Sequence, residues 1–322
     1  MPIILATENV DEHVAMRDAY VDTLLELAGQ DERILALDAD LMLAMGVQRF
    51  AIQFPERAIN CGVQEANMFG VAAGLSVVGF IPFAHTFACF ASRRACDQIF
   101  MSCAYARLNV KVIGSDPGIT AALNGGTHMP FEDLGIMRGI PGMTVIEPTD
   151  SVMVRDIVRQ VARLYGVHYI RLARRFAVKV YEEGSTFSIG QAVTLRDGRD
   201  LTIIATGFCV AEALAAARRL ESRGISARVL NMFTLKPIDQ EAIVATAEET
   251  GAIVTAENHN ILNGLGSAVA EVVGEHLPVP IERVGVRDEF GEVGPVSYLK
   301  ERFGLTADHI LAAAERVLKR KH

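Results

Sequence analysis

The chain has 322 residues, half of them hydrophobic and 22% charged, with a net charge of −8. At roughly 150 residues per domain that length predicts two domains with packed cores, and the acidic balance excludes a dedicated nucleic-acid binder, which needs surplus Lys and Arg to neutralise phosphates. No stretch of about 18 uncharged apolar residues offers a membrane span and no basic-then-apolar leader opens the chain, so a cytoplasmic protein is expected.

Strand-like and helix-like segments alternate from end to end. Residues 13–30 carry apolar positions at helical spacing, with Gly29 suited to the helix end. ILALDAD (34–40) and RAINCGV (57–63) are apolar runs of strand length, and a helix rich in small residues opens at Glu65. IPFAHTF (81–87) reads as a strand, followed by a long helix through about Leu108 and by strands at 110–115, 143–148 and 168–173. Cys89, Cys96 and Cys103 recur every seven residues along that helix; the odd total of five cysteines, without metal-type pairing, fits a reducing compartment and close helix contact. The pattern lapses into polar, turn-rich sequence before a second alternating block, with strands at 201–207, 227–232 and 251–258 and a helix ended by Gly224. The expected fold is α/β, with two doubly wound domains at 1–180 and 192–322 joined by a linker at 181–191.

Several side chains stand out chemically. Glu65 sits at the mouth of a segment of small and apolar residues; it reads either as a first-turn acid favoured by the helix dipole or as a carboxyl in apolar surroundings whose pKa rises toward neutrality. Phe87 and Phe90, three apart at a strand-to-helix junction, suit a core or an aromatic wall for a planar ligand. A Gly-rich loop at 115–135 holds Asn124, Thr127 and His128, where loops of α/β folds carry function. Arg17, Arg171, Arg174 and Arg175 have forks that match phosphate or carboxylate oxygens. GLGSAVAEVVG (264–274) lacks the full glycine fingerprint of a dinucleotide loop.

Taken together, GVQEANMFGVAAGL, PFAHTFACF, NGGTHMPFEDLGIMRGIPGMTVIEPTD and AENHNILNGLGSAVAE resemble, in order and spacing, the C-terminal half of transketolases and the matching half of 1-deoxyxylulose-5-phosphate synthases. The resemblance implies a pyrimidine-binding domain followed by a smaller transketolase C-terminal domain, with thiamine diphosphate as cofactor. Glu65 matches the glutamate that bonds the aminopyrimidine ring nitrogen, Phe87 and Phe90 the aromatic positions that pack on that ring, and Asp40 an acidic site near the cofactor and the boundary between subunits. His128 matches a histidine that contacts donor hydroxyls and acts in catalysis, and Arg17 and Arg174 match arginines that hold a sugar phosphate. Glu257 and His259 fit a family-like loop.

Departures accompany the match. Asn124 stands where an acid is typical, Ser115-Asp116 where a phosphate-contacting histidine is typical, and Ala44 close to the place of a serine, which points away from standard pentose phosphates toward a less usual sugar phosphate or an unphosphorylated ketose. No Gly-Asp-Gly motif for metal and diphosphate occurs in the sequence. The resemblance therefore implies one subunit of a split transketolase in an α2β2 heterotetramer, whose N-terminal partner carries Gly-Asp-Gly and supplies the Mg²⁺ ligands. The rival readings are the beta subunit of a 2-oxo acid dehydrogenase, a 1-deoxyxylulose-5-phosphate-synthase-like enzyme and a non-catalytic partner subunit.

Overall fold

A computed structural model describes residues 2–175 and 177–321. Among these residues the strands, in chain order, are β1 (Ile34–Asp38), β2 (Ala58–Asn60), β3 (Ile81–Phe87), β4 (Lys111–Ser115), β5 (Thr144–Ile146), β6 (His168–Leu172), β7 (Val193–Arg196), β8 (Leu201–Ala205), β9 (Ala227–Asn231), β10 (Thr234–Lys236), β11 (Ile253–Asn260) and β12 (Ile281–Val286). They form a seven-stranded sheet, ordered β10-β5-β6-β4-β3-β1-β2, and a five-stranded sheet, ordered β12-β11-β8-β9-β7. Pairing is parallel except for β10 on β5 and β7 on β9. Every residue of β1, β3, β4, β6 and β8 is buried, as expected where helices cover both faces of a parallel sheet. Both sheets match the expected α/β layering.

Local chemistry explains where the elements begin and end. The first helix, Met16–Gln30, runs past Gly29 and stops at Asp31, whose carboxylate accepts from the Arg33 N–H at 2.9 Å and turns the chain into β1. The helix after β3 is less regular than its sequence suggests: its turns widen to π geometry over Phe90–Arg94 and Ile99–Tyr105. Its buried Cys103 donates to the Phe69 carbonyl of the helix Glu65–Val77, the close contact expected of a small residue there.

The segment joining the two sheets is packed. Asp150 caps the helix Ser151–Arg163 through the Met153 N–H at 2.9 Å, and its other oxygen accepts from Val180 and Tyr181 N–H. Tyr181, Phe187 and Phe233 then stack edge to face at 4.7 and 6.0 Å. Strand β10, too short for a periodic signal, crosses from the second block to complete the first sheet at its β5 edge.

Candidate functional site

The carboxyl ends of β1, β2, β3, β4 and β6 converge on one end of the larger sheet, where ligands of parallel α/β folds gather. Glu65 is the first residue of the helix Glu65–Val77, reached from β2 through a turn at Gly62 with φ of 72°. Its side chain is 2% exposed, but its surroundings are not purely apolar: Arg94 Nη1 donates to Glu65 Oε2 at 2.9 Å. The Arg94 guanidinium lies 4.4 Å over the Phe90 ring, so one half-exposed cation links the buried acid to the aromatic wall. Sequence reading did not single out Arg94. The signal was present in its place four residues beyond Phe90, a spacing that puts two side chains on one helical face.

The rings form a cluster. Phe87 ends β3 and Phe90 begins the first widened turn, with ring centroids 6.1 Å apart. His128 comes from the distant Gly-rich loop and meets both edge to face, at 5.9 Å from Phe87 and 5.3 Å from Phe90. Two short 3₁₀ segments, Gly118–Asn124 and Gly126–His128, carry it there. The glycines between them serve close approach: Gly125 has φ of 82°, and a Cβ on Gly126 would lie 2.0 Å from the Gly291 carbonyl of the second domain. Arg93 pins the same loop by donating to the Thr127 carbonyl at 2.7 Å. The second domain thus seats the histidine loop against the rings.

Arg174 continues the chain of contacts, with its guanidinium 5.8 Å from the Phe87 centroid. Its backbone carbonyl accepts from the Arg17 N–H at 3.3 Å, which brings the two arginines together at the wall of a cavity of about 450 Å³. Arg17 Nη1 donates to the Ala44 carbonyl at 2.8 Å. Asp40, exposed and at φ of 62°, lines the same cavity and exchanges hydrogen bonds with Asn60 at 3.1 Å each way. Arg174 Nε pairs with Asp116 Oδ2 at 3.1 Å; Asp116 is almost fully buried, and burial pushes its carboxyl up to about 6 even though Arg174 pulls the other way. Arg174 also walls a second cleft of about 830 Å³ between the domains, where Asn124 sits at the exposed rim. Glu65, Phe87, Phe90, His128, Arg174 and Arg17 are therefore contiguous; Asp40 lines the Arg17–Arg174 cavity as an exposed residue, and Asn124 stands at the rim of the second cleft. Among the described residues no group of three or more His, Cys, Asp or Glu is arranged to hold a metal ion.

A second polar cluster braces the two domains. Arg171, fully buried in β6, directs Nε and Nη2 to Asp133 at 2.8 and 3.0 Å and Nη1 to Glu147 at 2.5 Å. Its Nη2 also reaches the Asn258 carbonyl of β11 at 2.8 Å, and Tyr169 donates to Asp133 at 2.7 Å. The Asn258 side chain bonds the Ile119 N–H and the Pro117 carbonyl, tying β11 to the root of the histidine loop. Glu257 accepts from the Leu265 and Gly266 N–H groups at the start of the helix Leu265–His276, at 2.6 and 2.8 Å, and burial pushes its carboxyl up to about 7. His259 Nδ1 donates to the Asn260 carbonyl at 2.7 Å, and burial drives the imidazole down to about 4. Arg171 and Asn258 brace the two domains, and His259 Nε2 accepts from the Gly135 N–H at 3.5 Å across the same boundary, whereas Glu257 bonds within the second domain. Asp133 and Glu147 were not foreseen; an arginine inside an all-buried strand is the signal that requires them.

Comparison with known proteins accords with this geometry. Residues 12–177 match the family model described as transketolase, pyrimidine binding domain, and residues 190–310 the one described as transketolase, C-terminal domain. The chain is 59% identical to the 6-deoxy-6-sulfo-D-fructose transketolase subunit SqwH of Clostridium sp. (strain MSTE9), over 97% of each chain. It is 37% identical to one of the subunits of the apulose-4-phosphate transketolase of Phocaeicola vulgatus, over 95% of this chain and 98% of that one. A solved structure described as a split gene transketolase, inactive beta4 tetramer, superposes with a TM-score of 0.89 at 45% identity, covering 97% of this chain and all of that one.

Proposed function

The chain belongs to the transketolase family, and from that premise we propose that it is the C-terminal subunit of a split transketolase, transferring a two-carbon ketol unit between sugar substrates together with a partner chain. The observation that carries this reading is the unbroken run of contacts from the buried Glu65 through Arg94 to Phe90, Phe87 and His128, and on to Arg174 and Arg17.

A buried carboxylate at a helix start beside an aromatic wall fits the ring end of thiamine diphosphate. When bound, that cofactor supplies the carbon nucleophile for the ketol unit. Glu65 holds a proton at a ring nitrogen, a task that needs a carboxylate shielded from water. Phe87 and Phe90 wall the ring plane and exclude solvent. His128 hydrogen-bonds donor hydroxyls, and Arg17 and Arg174 face the far end of the sugar. Mg²⁺ and the diphosphate find their ligands in the N-terminal partner. The similar chain described as an inactive β4 tetramer supports a need for that partner, and we assign the active assembly as α2β2. We take 1–180 as the pyrimidine-binding domain and 192–322 as the C-terminal domain.

The test is activity of the coexpressed pair of chains on a panel of ketose donors. Ketol transfer is expected from the pair, and Glu65→Ala is expected to lower kcat by roughly 10²–10⁴-fold while the thermal melt stays close to wild type. Wild-type kcat in that variant removes Glu65 from the chemistry.

A further inference from the structure

Glu65 is buried, yet the side chain that covers it is not. Arg94 Nη1 donates to Glu65 Oε2 at 2.9 Å, and the two side chains are 48% and 2% exposed. The same guanidinium lies over the Phe90 ring, 4.4 Å from its centroid. Phe90 and Arg94 are the first and last residues of one widened π turn, which brings both side chains to one face of the segment. One planar cation is thus bonded to the acid and stacked on the aromatic wall.

Resting on the transketolase reading, the ring of thiamine diphosphate asks for these same two partners, a hydrogen bond to the Glu65 carboxyl and a place against Phe90. The guanidinium resembles such a ring in what those partners detect: it is flat, donates hydrogen bonds at its edge and stacks on an aromatic face. It also stands on the solvent side. Because Glu65 is almost wholly shielded and Arg94 is half exposed, a ligand approaching Oε2 from water meets the guanidinium first. Neighbouring Arg93 is committed elsewhere, to the Thr127 carbonyl at 2.7 Å and to Glu132 at 3.1 Å, whereas among the described residues one hydrogen bond and one ring contact hold Arg94. Such contacts from a half-exposed cation are weak enough to exchange. We propose that Arg94 is a displaceable cover for Glu65, which competes with the cofactor ring for the carboxylate and for Phe90 and gives way when the ring binds. Arg94 therefore weakens cofactor binding instead of assisting it, and it shields the acid from solvent until the cofactor takes its place.

The test is calorimetric titration of thiamine diphosphate, with Mg²⁺ in excess, into the coexpressed pair of chains. Arg94→Met and Arg94→Gln both remove the competing cation, and each is expected to lower the cofactor Kd by about fivefold, the factor set by one half-exposed ion pair and one cation on a ring. Loss of structure would raise Kd, so a gain in affinity is not its signature. An unchanged or raised Kd in variants that melt like wild type overturns the inference, since a guanidinium that stayed beside the ring would add to binding. Where the variants melt differently or do not assemble, a crystal structure of the wild-type pair with bound cofactor decides. Arg94 is expected beyond hydrogen-bonding distance of Glu65, and a guanidinium still within about 3.5 Å of Oε2 overturns the proposal. A pair that binds cofactor and transfers ketol units without these changes refutes the inference alone; a pair that neither binds thiamine diphosphate nor transfers ketol units refutes the transketolase reading and this inference with it.

Discussion

Arg171 and Arg174 lie three residues apart at the end of one strand, and their surroundings differ in kind. Arg171 is fully buried, its fork filled by Asp133, Glu147 and a carbonyl from the opposite domain. Arg174 has one acidic partner and opens onto two cavities. The first arrangement has no free donor facing a space where a ligand could lie; the second leaves charge and donors directed at one. A structural arginine and a binding arginine are thus separated by how completely the fold satisfies them, and neither strand position nor residue type distinguishes them.

The strongest way to break this distinction is to remove the closed cation. Burial alone would raise the Asp133 carboxyl, but the Arg171 charge outweighs it and holds Asp133 below its ordinary range. Arg171→Met fills similar volume and leaves Asp133 and Glu147 buried without their cation. Such losses cost about 3–5 kcal/mol, so denaturant unfolding is expected to show a reduction of that size. A reduction below about 1 kcal/mol would mean that Arg171 is no brace.

Asp38 supplies the opposite limit, a buried acid with no cation. Its Oδ1 accepts from the Leu41 N–H, its Oδ2 is buried without a hydrogen bond, and burial pushes the carboxyl up to about 6. The unfolded value is about 3.9. The folded state therefore binds this proton more tightly, and ionisation removes stability as pH rises from about 4 to about 6, the full cost of about 2–3 kcal/mol being present above that window. Asp38→Asn is expected to raise stability relative to wild type at pH 8 and to lose that advantage as pH falls toward 4. Melting curves of the isolated chain across that range check it; a difference that does not change with pH removes the uncompensated charge from the account.

Much of the fold was legible because it rests on local patterns. Largely apolar runs such as IPFAHTF became buried strands, and Glu65 began its helix as expected. The resemblance also led to the residues that the structure brings together: Glu65, Phe87, Phe90, His128, Arg17 and Arg174. What escaped was long-range. The partners of Arg171 come from Asp133, Glu147 and Asn258, scattered across 38, 24 and 87 positions of chain. The fit of Gly126 against Gly291 joins two loops of different domains, and no periodicity marks such a pair. The contact of His259 Nε2 with the Gly135 N–H, 124 positions away, has the same origin, whereas Glu257 bonds Leu265 and Gly266 of its own domain. Arg94 is the exception, a local signal at i+4 from Phe90 that a reading centred on arginines after strands passed over.

Arg94 also sharpens the contrast between closed and open cations at its smallest scale. Its partner Glu65 is as buried as Asp133, yet Arg94 itself is 48% exposed. Removing it admits water to the carboxylate edge it covered, so the acid exchanges one stabilising neighbour for another instead of standing alone in an apolar interior. The cation over the Phe90 ring is lost as well, a contribution of about 0.5–1 kcal/mol at an exposed site. Arg94→Met is therefore expected to change unfolding free energy by only about 1 kcal/mol, against the 3–5 kcal/mol of Arg171→Met, although both remove an arginine from a buried acid. Equal losses in the two variants would show that exposure of the cation does not decide the cost, and the distinction between bracing and binding arginines would then have to rest on the cavities alone.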